Sequence, residues 1–338
     1  MFNKFIISKK NLIDNLNLIK SHTNNKKICA MVKANAYGVG DIEVVKILNG
    51  HVDFFGVSNL HEAKRISKYT TSKILIVGAL EKREIDTRFS YTCSNLDDVI
   101  FLKNKKRKIN IHLKVNSGMN RFGFSEEFEF LKALEEIKDS ELNLEGIFTH
   151  FATNDSFVDS QNKKFIQFLN LVKKYNFSPI IHADNSVTSE RKLHDYDMVR
   201  IGFNLYNNSK KGFKQVVEIK SQIVEIQHVK KGDLVGYAKR FIANKDMEIG
   251  IVPIGYADGF DMRYINFNLI LNGKVCKVLN ICMDCFMIDI TNKGIKKGSE
   301  LSICNKFNSL KRYADYSHTH EYEVMTKFSQ LRAKRIVY

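Results

Sequence analysis

Short apolar runs alternate with amphipathic stretches through about residue 215 of the chain. The runs at 28–33, 54–58, 73–78, 91–94, 109–115, 146–151, 180–185 and 198–203 have the length and β-branched content of buried strands. Between them, 11–22, 41–48, 96–102, 127–137 and 161–175 repeat apolar residues at helical spacing. Asp41 is placed to cap one helix, and Asp159 to open another. Strands separated by helices imply a parallel sheet, because parallel neighbours need crossover connections. Eight such units predict a (β/α)8 TIM-type barrel over 9–215. A doubly wound parallel sheet is the competing architecture.

After residue 215 the pattern changes. The stretches 216–228, 248–255, 269–280, 281–290 and 300–304 read as strands without a long helical pattern between them. Lys231-Gly232-Asp233, Asn272-Gly273 and Lys297-Gly298 punctuate them, and Asn-Gly between apolar runs is a strong hairpin signal. This predicts a mainly β C-terminal domain over 216–338, to which residues 1–8 add an edge strand.

Lys and Arg number 53 against 37 Asp and Glu, a formal net charge of +16. Such a balance raises nucleic acid or a membrane surface as partners. The basic residues are dispersed, however, and only Lys103–Lys108 (KNKKRK) is dense, so a solvated Lys-rich surface is the simpler reading. No run approaches the length of a membrane span, and the first ten residues (MFNKFIISKK) lack the apolar core of a signal peptide. The cysteines at 29, 93, 276, 282, 285 and 304 are not spaced as a disulfide framework. Cys282-Met-Asp-Cys285 has no second ligand pair and lies in an apolar run, which predicts buried strand cysteines rather than a metal site. A reducing cytoplasm suits this chain.

The first candidate for chemistry is Lys33, in Ala30-Met-Val-Lys-Ala-Asn-Ala-Tyr-Gly-Val-Gly40. On a barrel it would end the first strand, and barrel chemistry gathers at the C-terminal ends of strands. A desolvated lysine there suits Schiff-base formation, because burial lowers its pKa. A plain strand-terminal surface lysine fits the position equally well.

The stretch VKANAYGVG resembles the lysine motif of the alanine racemase family, and the resemblance continues in order. His112-Leu-Lys-Val-Asn-Ser-Gly-Met-Asn-Arg-Phe-Gly-Phe124, Thr149-His-Phe-Ala-Thr-Asn154, His182-Ala-Asp-Asn-Ser186 and Val199-Arg-Ile-Gly-Phe-Asn-Leu-Tyr206 are similar to its later signatures. So are Val235-Gly-Tyr-Ala238, Ile254-Gly-Tyr-Ala-Asp-Gly259, Ile281-Cys-Met-Asp284 and Glu321-Tyr-Glu323. The resemblance implies a pyridoxal 5'-phosphate enzyme that interconverts L-alanine and D-alanine as a homodimer and supplies D-alanine for peptidoglycan. Lys33 would hold the cofactor as an internal aldimine and serve as one acid/base. Tyr237, from the other subunit, would serve as the second on the opposite face of Cα. One base per face is the simplest way to racemise. A phenol of ordinary pKa near 10 needs help to act as a base. His150 would hydrogen-bond Tyr237, with His182 behind, although lone histidines are often core residues.

Further roles follow from the same resemblance. Arg200 would face the cofactor's pyridine nitrogen and, being donor-only, leave it unprotonated. Arg121 would touch the substrate carboxylate and the cofactor's phenolic oxygen, oriented by Lys114 as a carbamate. Tyr37, Ser186, the N–H groups of Gly202 and Phe203, and Tyr322 would bind the phosphate. Ser186 alone would read as a helix cap. Tyr256, Met283 and Asp284 would line the partner side, although Met283 alone would read as core. Val39, Asn116 and Asn207 depart from the His, Asp and Gly usual in the family. A broader amino-acid racemase, or a basic amino-acid decarboxylase of the same fold, is the alternative. Arg200 and Tyr237 argue against the decarboxylase, and the β domain argues against a non-catalytic cofactor carrier, which is usually a barrel alone. A nucleic-acid-binding function rests on net charge alone.

Overall fold

The computed structural model describes residues 2–24, 26–153, 155–186, 188, 195–207 and 211–338. Asn154, which ends one of the motifs above, lies outside them. The chain divides into two compact units, one formed by Leu16–Ala36 with Asp41–Leu205, the other by Met1–Asn15, Tyr37–Gly40 and Tyr206–Tyr338.

The first strand of the chain, β1 (Lys4–Ile7), belongs to the second of these units. The first unit is a sheet of eight parallel strands: β2 (Lys27–Met31), β3 (Phe54–Val57), β4 (Lys73–Ile76), β5 (Ser90–Cys93), β6 (Ile109–Lys114), β7 (Leu142–Phe148), β8 (Ile180–His182) and β9 (Met198–Ile201). They pair in the order β8-β7-β6-β5-β4-β3-β2-β9. The ring closes beyond β8, where Asn185 bridges Arg200 and the Arg200 N–H donates to the Asp184 carbonyl at 3.0 Å. Both faces of each strand are covered, so β3 and β5 are buried at every position. This is the TIM-type barrel. Its helices include Asp41–Leu48, Leu60–Ile66, Leu96–Lys103, Glu127–Lys138 and Phe157–Lys174. Asn59 and Asn95 cap two of them, their side chains accepting from the Glu62 and Asp98 N–H groups.

Two details differ from the pattern-based expectation. The helix at 60–66 was not anticipated, because two turns are too short to show a periodicity. The helix expected to open at Asp159 begins at Phe157 and carries Asp159 in its first turn, where a carboxylate faces the positive end of the helix dipole.

In the second unit, β1, β10 (Val217–Gln222), β16 (Glu300–Cys304) and β17 (Lys334–Val337) form a four-stranded sheet, ordered β16-β10-β1-β17. β11 (Glu225–Val229), β12 (Met247–Val252), β15 (Phe286–Asp289), β14 (Lys274–Ile281) and β13 (Asn268–Leu271) form a five-stranded one, in that order. β1 is therefore an inner strand rather than an edge, because β17 pairs along its other side. The single strand expected at 216–228 is two, since the chain leaves one sheet after Gln222 and enters the other at Glu225. The Asn272-Gly273 hairpin signal holds: β13 and β14 pair around a turn in which these residues take φ of 50° and 74°. Two short helices, Leu310–Tyr316 and Glu321–Lys327, interrupt what looked like an all-strand region. Among the described residues, no helix is long and apolar enough to cross a membrane.

Candidate active site

The barrel brings its candidate residues to one end because each follows, or ends, a strand. Lys33 lies two residues past β2, Lys114 ends β6, His150 lies two residues past β7, and His182 ends β8. Arg200 is in β9, with Gly202 and Phe203 just beyond.

Lys33 opens an unusual turn. Ala34, Asn35, Ala36 and Tyr37 all take left-handed backbone angles, with φ of 52°, 55°, 51° and 56°. For residues with a Cβ this costs about 1–2 kcal/mol each. Neighbouring groups hold it in the barrel unit. Buried Glu62 accepts from the Ala34 N–H at 2.8 Å and the Ser58 N–H at 2.7 Å, and the Asn35 side chain accepts from the Asp41 N–H at 3.0 Å. The turn carries the chain sharply away from β2 and leaves Lys33 at the strand end. Burial, then Arg121 and, more weakly, Arg200, push the Lys33 amine below its ordinary pKa, against an opposing pull from Glu62.

Lys114 is pushed down further, to about 8, by burial and then by Arg121, Arg200 and Lys33. Its ammonium lies over the Phe122 and Phe148 rings, at 5.2 and 5.7 Å. Arg121 is exposed on a loop folded back onto β6 by paired backbone bonds between Phe124 and both Lys114 and Asn116. Gly123 is required there, because at its φ of 121° a Cβ would lie 2.7 Å from the Asn116 nitrogen. Asn116 explains one departure from the family pattern. Its amide donates to Asn120 Oδ1 and Ser125 Oγ, which an aspartate could not do.

Arg200 is buried, and both of its terminal nitrogens are engaged. It donates to His182 Nδ1 at 2.7 Å, His150 Nδ1 at 3.2 Å, and the carbonyls of Thr149, His182 and Ala183. Burial lowers it to about 10, leaving it a cation at neutral pH. Burial and then Arg200 push both His150 and His182 well below the ordinary imidazole range, so both are neutral. An imidazole nitrogen that accepts from Arg200 carries no proton, so His150 is protonated at Nε2. Ser186 Oγ accepts from the Gly202 N–H at 3.0 Å, and the Asn204 amide donates to the Ser186 carbonyl. Ser186 lies in a turn. The helix expected to begin there falls largely on residues 187 and 189–194, outside the described residues.

The second unit holds the other candidates. The Tyr37 ring lies 5.6 Å from Tyr206 and 6.2 Å from Tyr322. Asn207, another departure, donates to Glu321 beside Tyr322 at 2.9 Å, and Val39 is fully buried. Tyr237 stands 74% exposed on a loop whose Gly236, Ala238 and Lys239 all have positive φ. Buried Asn280 fixes that loop by donating to the Val235 and Tyr237 carbonyls. Tyr256 and Met283 are exposed too, joined by the Tyr256 N–H to the Cys282 carbonyl and the Ala257 N–H to the Met283 carbonyl. Met283 is thus not a core residue, and Asp284 beside it is exposed. Cys282 and Cys285 are half-buried in a turn rather than buried in a strand, because the Cys282 N–H bonds back to the Cys285 carbonyl between β14 and β15. Sequence reasoning missed Glu62, Asn280, His112 and Glu145. Of these, only His112 carried a signal, two residues before Lys114 on the same strand face.

Comparison with known proteins finds matches along almost the whole chain. The family model "Alanine racemase, N-terminal domain" matches residues 7–210, and "Alanine racemase, C-terminal domain" matches 216–337. An alanine racemase of Borreliella burgdorferi (strain ZS7) is 32% identical, covering 98% of this chain and 96% of its own. One from Fusobacterium nucleatum is 35% identical over 88% of this chain and 90% of its own. The crystal structure of a Bacillus anthracis alanine racemase with bound L-Ala-P superposes with a TM-score of 0.92 at 27% identity, covering all of this chain and 95% of that one.

Proposed function

The chain belongs to the alanine racemase family, and from that premise we propose how its residues interconvert L-alanine and D-alanine with pyridoxal 5'-phosphate. The donor set fits that cofactor. Lys33 offers a half-buried amine with a lowered pKa, and a carbonyl is attacked only by the neutral amine. Arg121 would offer positive charge to its phenolic oxygen and Arg200 donors to its ring nitrogen, and the Ser186 hydroxyl with the Gly202 and Phe203 N–H groups would offer donors to its phosphate, with the Tyr37 and Tyr322 hydroxyls as further donors. When bound, the cofactor supplies an electron-withdrawing ring that acidifies the substrate's Cα–H.

This chain's residues do the rest. Lys33 anchors the cofactor, and its freed amine moves the Cα proton on one face. Tyr237, from a second copy of the chain, moves it on the other. His150, protonated at Nε2, donates to the Tyr237 oxygen and favours its ionised form. His182 backs Arg200. Arg200 presents only N–H groups to the ring nitrogen, so that nitrogen stays unprotonated and the electron sink stays weak. With so weak a sink, Lys33 and Tyr237 would return the proton to Cα before side reactions intervene. Arg121 orients the substrate carboxylate, with Lys114 as its carbamate anchor. Tyr256, Met283 and Asp284 line the pocket from the second copy. On this reading residues 9–215 bind the cofactor and 216–338 deliver Tyr237.

The observation that carries the reading is Lys33 itself, an amine of lowered pKa at the strand end beside Arg121 and Arg200. The homodimer is supported by the exposed Leu234, Tyr237, Ile242, Tyr256 and Met283 of the second unit, a face suited to a second copy. Six unpaired cysteines suit the reducing cytoplasm, where the product would feed peptidoglycan synthesis. Borohydride reduction of the holoenzyme and peptide mapping should place the pyridoxyl group on Lys33, with D-alanine formation followed by chiral chromatography. Label on any other lysine overturns the assignment.

A further inference from the structure

Behind Arg200, the buried hydrogen bonds continue away from the cofactor end of the barrel. His182 Nδ1 lies 2.7 Å from Arg200, and its Nε2 lies 2.9 Å from His112 Nδ1. His112 Nε2 lies 3.2 Å from Glu145 Oε2. Glu145 also accepts from the Ser90 hydroxyl and pairs with Lys73 at 2.5 Å. His112 and His182 are fully shielded from solvent, and Glu145 is 8% exposed. Stacking on Phe148 at 4.7 Å fixes the His182 plane, and an edge contact with Phe54 at 6.0 Å fixes that of His112.

The polarity of this chain follows from its ends. Arg200 can only donate, and a carboxylate can only accept. Burial pushes both imidazoles down, and the two together carry no charge, so each has one proton to place. His182 must then accept at Nδ1 and donate from Nε2, and His112 must do the same toward Glu145. Burial alone would raise the Glu145 carboxyl, but hydrogen bonds from His112, Lys73 and Ser90 hold it at about 2, so it stays an anion. The backbone is shaped for this pairing. The β6–β7 register slips, with Ile111 opposite Leu144 and His112 opposite Gly146, so Glu145 is the extra residue of a bulge. Gly146 leaves the room the ring needs, because a Cβ there would lie 2.1 Å from His112 Nδ1.

We propose that Glu145 and His112 are positioning residues for racemisation: through a one-way chain of hydrogen bonds they lock His182 as its Nε2–H tautomer and so hold Arg200, its terminal nitrogens engaged, with its remaining N–H toward the cofactor's ring nitrogen. The inference rests on the role given to Arg200 above. Losing the anion frees His182 to carry its proton at Nδ1, where it opposes the Arg200 N–H and displaces the guanidinium.

The test is nitrogen-15 NMR of the imidazoles in the holoenzyme, with racemisation and transamination rates measured in parallel. In the wild type, both rings should show Nε2–H and bare Nδ1. Glu145→Gln keeps the shape but lets the amide present either donor or acceptor. It should give mixed His182 tautomers, a kcat about 10–100-fold lower, as for other partners that orient a functional imidazole, little change in KM, and a raised ratio of transamination to racemisation. An Nδ1–H tautomer in the wild type overturns the proposal without any variant having to fold. So does a folded Glu145→Gln enzyme with wild-type kcat and product ratio. Arg200→Glu run alongside separates the two readings: a changed product ratio there, with none in Glu145→Gln, sinks the relay alone, and no change in either sinks the role of Arg200.

Discussion

Lys114 sits among Arg121, Arg200 and Lys33, and that basic cluster makes a quantitative prediction about its covalent state. The lowering causes, after burial, are all cations. A carbamate reverses the sign of each, turning three repulsions into attractions. Carbon dioxide also reacts only with neutral amine. At pH 7.5 an ordinary lysine is neutral in about 0.1% of molecules, and one with a pKa of about 8 in about 24%. The reactive fraction is therefore about 200-fold larger before any attraction is counted. Holoenzyme equilibrated with carbon-13 bicarbonate should show one carbamate resonance per chain, absent in Lys114→Ala. The signal should weaken as pH falls well below 8, because protonation removes the neutral amine. Stripping carbon dioxide should raise KM for alanine more than it lowers kcat, since Arg121 loses its anchor. An active enzyme with no labelled carbamate between pH 7 and 9 would refute the argument.

Three further outcomes are expected. Arg200→Glu should protonate the cofactor ring, so a long-wavelength absorption band grows while racemisation falls and transamination rises. An unchanged spectrum and product ratio would contradict the weak-sink account. Tyr237→Phe should cost about 10²–10⁴-fold in rate. Mixed with Lys33→Ala, it should recover up to about a quarter of wild-type sites if a C2 dimer shares its active sites. No recovery after proven subunit exchange would place both bases in one chain. Gly146→Ala should destabilise the protein by about 3–5 kcal/mol, from overpacking against His112 and the loss of its buried bonds. That lowers the melting temperature by roughly 5 °C, and a wild-type melting curve would show that the His112 ring does not need that space.

The barrel was legible because parallel strands covered on both faces read as unbroken apolar runs, as Phe54-Phe-Gly-Val57 and Lys73-Ile-Leu-Ile76 do. Lys33 was legible for another reason, its motif. The second unit was less so. An apolar run cannot show where a chain changes sheets, so the break between Gln222 and Glu225 was hidden. The turn at Cys282–Cys285 was hidden because three of its four residues are as apolar as a strand's, and Cys282 and Cys285 pack on the core from within the turn. Glu145 was invisible for a subtler reason. In Leu142-Asn-Leu-Glu its polarity continues an ordinary outward alternation, and only the slipped register turns the carboxylate toward His112.

Two buried glutamates of the barrel unit, Glu62 and Glu145, act on the same problem from opposite sides. Glu62 holds a left-handed turn that no alanine would choose, and the strained backbone fixes where Lys33 stands. Glu145 holds a polarised row of imidazoles, and that row fixes how Arg200 points. Neither carboxylate joins the basic cluster of Lys33, Lys114, Arg121 and Arg200, and this separation matters. Beyond the carbamate proposed on Lys114, which is tied to Arg121, a free carboxylate among these groups would raise the Lys33 pKa and compete with the anionic groups of cofactor and substrate. Each glutamate instead spends its hydrogen bonds elsewhere than on the four basic side chains: Glu62 on the Ala34 and Ser58 N–H groups, Glu145 on the His112 ring, the Ser90 hydroxyl and Lys73. The partial exception is Glu62, which pulls the Lys33 pKa upward against the stronger effect of burial. On the proposed reading, Lys33 and Arg200 are thus positioned by carboxylates that hydrogen-bond neither of them directly.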